Sequence, residues 1–380
     1  MNKKLLSMAV AAAMVAPTAA MADAVLYGKL HMSIDWASVE GADTSGVKPK
    51  KFNGWGLNGG GSLPGVGRAN RIGIKGSEDL GNGMKAIYQV EFGVQMTEEG
   101  ADNVATGSED AISMRNSFVG LTGDWGTFVV GRNDTPYKTS TGKLDLFADT
   151  MADYNGTVGF DDVRADNAIA YVSPSLSGFQ LAAAVHAGGG STIDSGQNLD
   201  SNSLAEAYSI AGIYSNGPFY ASLAYESLGN ELYMSTLASI SNPQPIEDDY
   251  TKWRLGLGLM DWNGFTLTGI YEEQSNLPAG QLSPATDNEK LKIWQVQAGY
   301  SFGNSMVKAM YGSGNRDGRI NVGAPKNIKD TVEGDYYTWA LAFDHNLSKR
   351  TKAYVLYTQV NDDAPDSDWD GFSVGMIHNF

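Results

Sequence analysis

The sequence predicts an all-β protein, a transmembrane antiparallel β-barrel of sixteen strands. Three observations support this: apolar and polar residues alternate along most of the chain, short turns alternate with long polar loops, and no segment beyond residue 22 is apolar for the roughly 18 residues that a transmembrane helix needs. A closed barrel satisfies all its backbone hydrogen bonds within lipid because it has no open edge.

The alternation is clear in the first predicted strand, "AVLYGKLHMSIDW", where apolar residues from Leu26 to Trp36 occupy the even positions and polar residues occupy most odd ones. It recurs in residues 83–96, 251–262, 292–302 and 336–343. A soluble sandwich also alternates. Here the polar faces carry Lys, Arg, Glu and Gln, and the apolar faces often begin or end in Trp, Tyr or Phe, which is typical of a sheet facing lipid.

The connections between predicted strands are of two kinds. Seven are short and rich in Gly and Asn, which supply the positive φ of tight turns: 80–83, 122–126, 174–178, 215–218, 262–264, 303–304 and 346–350. Eight are long and polar: roughly 37–67, 97–111, 133–163, 188–204, 227–250, 273–289, 313–334 and 361–369. We therefore expect short periplasmic turns and long external loops.

The last stretch, "GFSVGMIHNF", keeps its period-two alternation up to Phe380. We expect this final strand to pair with the first one, because an unpaired strand edge in lipid would leave backbone groups without partners.

Composition excludes several function classes. The 380 residues include 27 Lys and Arg against 43 Asp and Glu, and this net charge of −16 has the wrong sign for a general nucleic-acid binder. Cysteine is absent, which rules out disulfides, thiolate catalysis and cysteine-ligated metals.

The first 22 residues read as a cleaved export signal, which leaves residues 23–380 as a single barrel domain. A basic start with Lys3 and Lys4 precedes the apolar stretch 5–16, and Ala20-Met21-Ala22 is a small-x-small cleavage site. Cleavage would leave 25 basic against 43 acidic residues, a net charge of −18.

Three stretches resemble the trimeric general porins of Gram-negative outer membranes. Residues 71–91, "RIGIKGSEDLGNGMKAIYQVE", look like the second strand, first turn and third strand of that family, and residues 115–137, "RNSFVGLTGDWGTFVVGRNDTPY", look like strands four and five. The terminal strand is similar to the family's assembly signal, which ends in Phe. The resemblance covers essentially the whole chain after the export signal.

This resemblance implies an outer-membrane homotrimer with one water-filled diffusion pore in each subunit. It also implies that the third loop folds into the lumen and narrows it. The implied partners are outer-membrane lipid and lipopolysaccharide, small hydrophilic solutes and ions, and the assembly machinery that would read the strand ending in Phe380. No cofactor, metal or nucleic acid is expected.

The third long loop, residues 133–162, carries apolar residues that a solvated loop has little reason to carry. In "KLDLFADTMAD", Leu144, Phe147 and Met151 recur at helical intervals, so a short helix could pack them on the barrel wall. That helix would present Asp145 and Asp149, and with them Asp153, to the lumen. An ordinary solvated acidic loop is the alternative.

The opposite wall of the constriction requires cations. Arg71, Arg115 and Arg164 match the family's basic positions at the starts of its second, fourth and sixth strands, and an arginine inside a wet lumen avoids the cost of a charge in lipid. The parity of Arg115 is ambiguous, because Val119 and Leu121 share it. Arg132 is expected at a strand end, where it would support the loop.

Acids facing arginines would set up a transverse field in the aperture, which favours polar solutes. The net charge suggests a weak cation preference, and the three arginines oppose it.

Three other functions remain open. A barrel enzyme would need a catalytic constellation, and none of the four histidines lies in a recognisable motif, so we expect no enzyme. A solute-specific channel would need a ladder of inward aromatic residues, of which only Tyr27 and Tyr220 are evident. A receptor or adhesin role of the loops is the third.

Overall fold

The computed structural model describes residues 24–39, 52–58, 69–97, 112–187, 203–205, 207–228, 249–276, 290–320, 332–363 and 368–380. The predicted export signal, residues 1–22, lies outside the described residues, as do parts of most of the long loops. The strands are β1 (Val25–Val39), β2 (Phe52–Asn58), β3 (Arg71–Gly81), β4 (Met84–Val94), β5 (Ile112–Met114), β6 (Ser117–Gly123), β7 (Gly126–Asp134), β8 (Arg164–Val172), β9 (Phe179–His186), β10 (Ala207–Asn216), β11 (Phe219–Ser227), β12 (Thr251–Trp262), β13 (Phe265–Ser275), β14 (Lys290–Phe302), β15 (Ser305–Ile320), β16 (Val332–Asn346), β17 (Thr351–Asp362) and β18 (Trp369–Asn379). The helices are α1 (Pro136–Thr139) and α2 (Tyr154–Thr157).

The strands form one closed antiparallel barrel. Each spanning strand pairs with its neighbours in sequence, and β18 pairs with β1 from Lys29–Asn379 to Val39–Trp369. Two of the eighteen segments, β2 and β5, are short. They pair with the long-loop ends of β1 and β4, and so extend the wall beyond the ends of β3 and β6. The remaining sixteen strands span the barrel, so the predicted strand number and closure are confirmed.

Among the described residues, no helix is long and apolar enough to cross a membrane.

The outer face of the barrel is an apolar belt. Leu223, Leu257 and Leu341 are each more than half exposed, which suits side chains that lie in lipid. Aromatic pairs mark both rims of this belt. The ring centroids of Trp253 and Tyr271 lie 5.1 Å apart near the long-loop end, and those of Phe265 and Tyr300 lie 4.5 Å apart near the short turns. The predicted aromatic rims are therefore confirmed.

The tight turns use the residues expected of them. At the β12–β13 turn, Asn263 and Gly264 have φ values of +51° and +87°, which only Gly and Asn adopt readily.

The loop between β7 and β8 runs through the barrel interior. Leu144, Phe147 and Met151 are fully buried, and they belong to a core cluster shared with inward residues of β13 to β18. The loop's apolar residues therefore pack on the wall as predicted.

The helix predicted around these residues is wrong. Residues 141–152 form successive turns, and the two short helices flank them on either side. Asp149 has a left-handed backbone, with φ of +62°, which a right-handed helix cannot contain.

Candidate functional site

The loop lies against one side of the barrel because glycines on that wall leave room for its apolar side chains. A Cβ added at Gly256 would lie 2.7 Å from Leu144, and a Cβ at Gly371 would lie 2.4 Å from Met151. Val158 occupies a similar gap at Gly312. These three glycines lie on β12, β18 and β15, so the loop covers a broad sector of the inner wall.

Hydrogen bonds from wall side chains to the loop backbone secure this position. Lys308 Nζ donates to Leu146 O at 2.6 Å, and Thr268 Oγ1 donates to Leu144 O at 2.8 Å. Tyr336 OH donates to Val158 O at 2.5 Å. The donors come from β13, β15 and β16, and they satisfy carbonyl groups that would otherwise be buried without partners.

A buried network of charges fixes the end of the loop. Arg254 on β12 is fully buried, with Nε 2.5 Å from Glu272 and Nη1 2.8 Å from Asp162. Lys252 Nζ lies 2.7 Å from Asp161 Oδ2. Removing one member of a buried pair typically costs about 3–5 kcal/mol, so the buried pairs of Arg254 hold Asp162 firmly to the wall. The partly exposed Asp161 adds a further ion pair with Lys252.

Two of the three predicted loop acids are buried and accept hydrogen bonds from the loop backbone or the wall. Asp145 is 7% exposed, and its carboxylate accepts hydrogen bonds from Gln297 Nε2 on β14 and from the backbone of Phe147. Asp153 is 4% exposed and caps α2 by accepting from the backbone nitrogen of Asn155 at 2.9 Å. Both carboxylates therefore organise the loop.

These two acids lie outside the spanning strands, and burial raises the pKa of both. The pKa of Asp145 rises to about 6, against the opposing effect of the hydrogen bonds that its carboxylate accepts. Burial, followed by repulsion from Asp145, raises the pKa of Asp153.

The third predicted acid, Asp149, is partly exposed and contacts a different strand, β1. Its Oδ2 lies 2.5 Å from Lys29 Nζ on β1, and 28% of its side chain is exposed. Asp145 contacts β14 and Asp149 contacts β1, which are five strands apart around the barrel. The two acids therefore do not share a face.

The structure brings the three predicted arginines together on the wall that the loop leaves open. Arg115 Nε lies 2.7 Å from Glu91 Oε1, and Arg71 Nε lies 3.8 Å from the other oxygen of Glu91. Arg164 Nε lies 3.0 Å from Asp134 Oδ1 and donates to Asn116 Oδ1 at 2.7 Å. Each arginine keeps part of its side chain exposed.

The ambiguous parity of Arg115 is resolved by an irregularity in the strand. Phe92 pairs with Met114, but Gln89 pairs with Phe118, so one extra residue separates β5 from β6 at positions 115–116. This bulge lets Arg115 point inward while Val119 is 62% exposed on the outer face.

Arg132 lies near the end of β7, as predicted. It forms an ion pair with Asp166 on β8, which is in the wall and not in the loop.

A cavity of about 400 Å³ adjoins this arginine cluster. Its lining contains four cationic side chains, Lys29, Arg71, Lys75 and Arg115, and two acids, Glu91 and Asp134. Sequence reasoning assigned no role to Glu91 or Asp134. The signal was available for Glu91, which lies on the polar face of its strand two positions from Gln89.

Within the described ranges, no group of three or more His, Asp or Glu residues could hold a metal ion.

Comparisons with known proteins agree with this architecture. The chain is 26% identical to the major outer membrane protein P.IB of Neisseria gonorrhoeae, over 93% of this chain and 92% of that protein. It is 27% identical to the P.IA protein of Neisseria meningitidis serogroup A over the full length of both. Among solved structures, an anion-selective porin from Comamonas acidovorans superposes with a TM-score of 0.66 at 20% identity, covering 94% of this chain and 99% of that one.

The model of the Gram-negative porin family matches residues 9–365, nearly the whole chain. The closed sixteen-stranded barrel, its apolar outer belt and its interior loop are consistent with this match. The chain therefore belongs to the Gram-negative porin family and is an outer-membrane porin.

Proposed function

We propose that the protein forms a passive diffusion channel for small hydrophilic solutes and ions, constricted where the β7–β8 loop faces the arginine wall. The observation that carries this proposal is the one-sided packing of the loop. Its apolar residues fill glycine gaps on β12, β15 and β18, while Arg71, Arg115 and Arg164 lie together in a part of the wall that the loop does not cover.

Asp149 is the acid best placed to line the aperture, because its side chain is partly exposed and forms an ion pair with Lys29 on β1. Asp145 and Asp153 contribute by holding the loop in shape. Charged groups fixed on both sides of a narrow, low-dielectric aperture orient water and polar solutes and disfavour apolar ones.

We further propose that the channel prefers anions, in place of the weak cation preference that the net charge suggested. The charged residues that line the cavity, taken together with their ion-pair partners, comprise six cationic side chains and three acids. The acids are Glu91, Asp134 and Asp149, and the cations are Lys29, Arg71, Lys75, Arg115, Lys138 and Arg164. Ions crossing this region therefore meet a local excess of positive charge.

The remaining expectations from the family resemblance belong to the same proposal. The protein would act as a homotrimer in contact with lipid and lipopolysaccharide. Its activity would be that of a channel and not that of an enzyme. Removal of residues 1–22 would precede its insertion, and the assembly machinery would engage the strand that ends in Phe380.

Bilayer recordings under a salt gradient test the proposal. Replacing Arg71, Arg115 and Arg164 with Gln should raise the cation-to-anion permeability ratio severalfold, because three positive charges leave the aperture. Arg132→Gln is the matched control, since Arg132 pairs with the exposed Asp166, and its reversal potential should stay close to that of the wild type. A non-conducting wild-type barrel would refute the channel, and an unchanged reversal potential in the triple variant would remove the arginines from the aperture.

A further inference from the structure

An apolar cluster faces the lumen on the open wall, beside the arginines. It consists of Ile87, Phe118, Val129, Ala170 and Ala184, and no described loop residue belongs to it. The strand register connects them in a row, since Ile87 pairs with Gly120, Gly120 with Val129, Val129 with Ala170, and Ala170 with Ala184. Phe118 and Ile87 remain partly exposed.

The exposure pattern establishes that this cluster points inward. On β6 and β7, Val119, Phe128 and Val130 form the outward set and are 62%, 38% and 41% exposed. Phe118 and Val129 occupy the alternate positions. The hydroxyl groups of Thr122 and Thr127 lie on the same face, 2.8 Å apart, nearer to the turn.

The apolar cluster and the cationic cavity are adjacent on this wall. Gln89 lines the cavity and is also the cross-strand partner of Phe118. The backbone of Arg115 bonds to Glu91, two residues from Gln89. Two residues of a strand span about 7 Å, so a small molecule can contact both regions at once.

We propose that this wall is a subsite for a small carboxylate that carries an apolar ring, an inference that rests on the proposed channel function. The guanidinium groups of Arg71 and Arg115 attract the carboxylate, with geometry suited to a planar anion. The ring lies on Phe118 and Ile87, which removes apolar surface from water. A hydrophilic anion contacts only the arginines of the subsite, and a neutral ring contacts only Phe118 and Ile87.

Chloride current through reconstituted channels reports on occupancy, because a bound molecule beside the constriction obstructs ions. Benzoate should reduce the current at a concentration about tenfold lower than acetate. Benzyl alcohol, which carries the ring without the charge, should have little effect at the same concentration.

Two variants test the apolar half. Phe118→Ala should remove most of the difference between benzoate and acetate, and Ile87→Ala should reduce it. Phe128→Ala is the matched control, because it is the same change on the neighbouring strand at an outward position, and it should keep the wild-type difference. Comparing heated and unheated samples on gels verifies that each variant is folded.

The outcomes separate this inference from the channel function. Equal responses to benzoate and acetate in a conducting wild-type protein would overturn the subsite alone, as would a difference that persists in both Phe118→Ala and Ile87→Ala. Absence of chloride current in the wild type would overturn the channel itself.

Discussion

At the scale of single residues, acids of one loop differ in what they do because their surroundings differ. Asp145 accepts hydrogen bonds from a wall glutamine and from backbone nitrogens, so its carboxylate is directed away from passing ions. Asp149, four residues later, keeps 28% of its side chain exposed and meets Lys29 across the loop edge. The charge that an ion senses therefore depends on these contacts and not on the number of acids.

Asp149→Asn should shift selectivity further towards anions. Loss of the carboxylate frees the charge of Lys29, and one unit charge about 8 Å from the ion path changes the anion-to-cation permeability ratio about twofold after screening by salt. The reversal potential under a salt gradient measures this shift.

Asp145→Asn is the comparison for that experiment. It removes the same charge from the same loop, but from a buried position, so it should loosen the loop and increase current noise while changing the reversal potential less than Asp149→Asn does. Equal shifts in the two variants would mean that both carboxylates face the lumen.

Sequence parity predicted residue positions well wherever the strand is regular. Arg71 alternates with the apolar Ile72, which is 40% exposed on the outer face, so parity places the arginine on the inner face. Parity could not place Arg115, since a bulge changes the alternation by one residue and leaves no clear mark in the sequence. The prediction that Asp145 and Asp149 share one face is wrong, because their spacing does not reveal that the backbone of Asp149 is left-handed.

At the scale of elements, the loop and the wall strands are matched in shape. Gly256 on β12 faces Leu144, Ser222 and Thr141, and a Cβ there would lie within 2.9 Å of all three. The alternating glycines of "RLGLGLM" are inward positions in a spanning strand, where a side chain would exclude the loop. The inward glycines of β12 therefore help to set where the loop packs on the wall.

Gly256→Ala should displace the loop from this wall. Overpacking of a close contact costs about 1–3 kcal/mol, so the folded form should lose its heat resistance at a lower temperature. The displaced backbone near Leu144 moves towards the lumen, and single-channel conductance should fall. Melting of the folded band on gels and bilayer recordings measure the two effects.

Gly269→Ala on the neighbouring strand β13 is the control for that change. Its added Cβ would meet nothing closer than Gln295 O at 3.8 Å. Its melting temperature and conductance should match the wild type. If the two variants behaved alike, the close packing between Gly256 and the loop would not hold in the membrane.

The elements themselves were predictable to different degrees. Strands and tight turns follow from period-two patterns and Asn-Gly signals, because the two faces of each strand meet different solvents. The loop was harder to predict, since Leu144, Phe147 and Met151 are spaced as in a helix but are buried by successive turns pressed against the wall. The apolar residues therefore predict the burial of the loop correctly, but their spacing predicts its backbone conformation wrongly.

At the scale of the whole molecule, two charge distributions of opposite sign act on an ion. The chain as a whole is acidic, with 43 Asp and Glu against 27 Lys and Arg, and long connecting segments such as "IEDDY" and "NDDAPDSDWD" carry many of the acids. The wall around the cavity has more cationic than acidic side chains. Which distribution dominates depends on how far charge is felt through the solution.

Salt concentration should therefore tune selectivity in a non-monotonic way. At 0.1 M salt the screening length is about 10 Å, so an ion in the aperture senses the nearby arginine wall most strongly. At 0.01 M it is about 30 Å, and the acidic segments also act on the ion, while at 1 M it is about 3 Å and even the wall is screened. Reversal potentials measured at a fixed concentration ratio around these three mean concentrations should give the strongest anion preference near 0.1 M. An anion preference that rises steadily down to 0.01 M would mean that the wall alone governs the channel, and a cation preference at all three would mean that the acidic segments do.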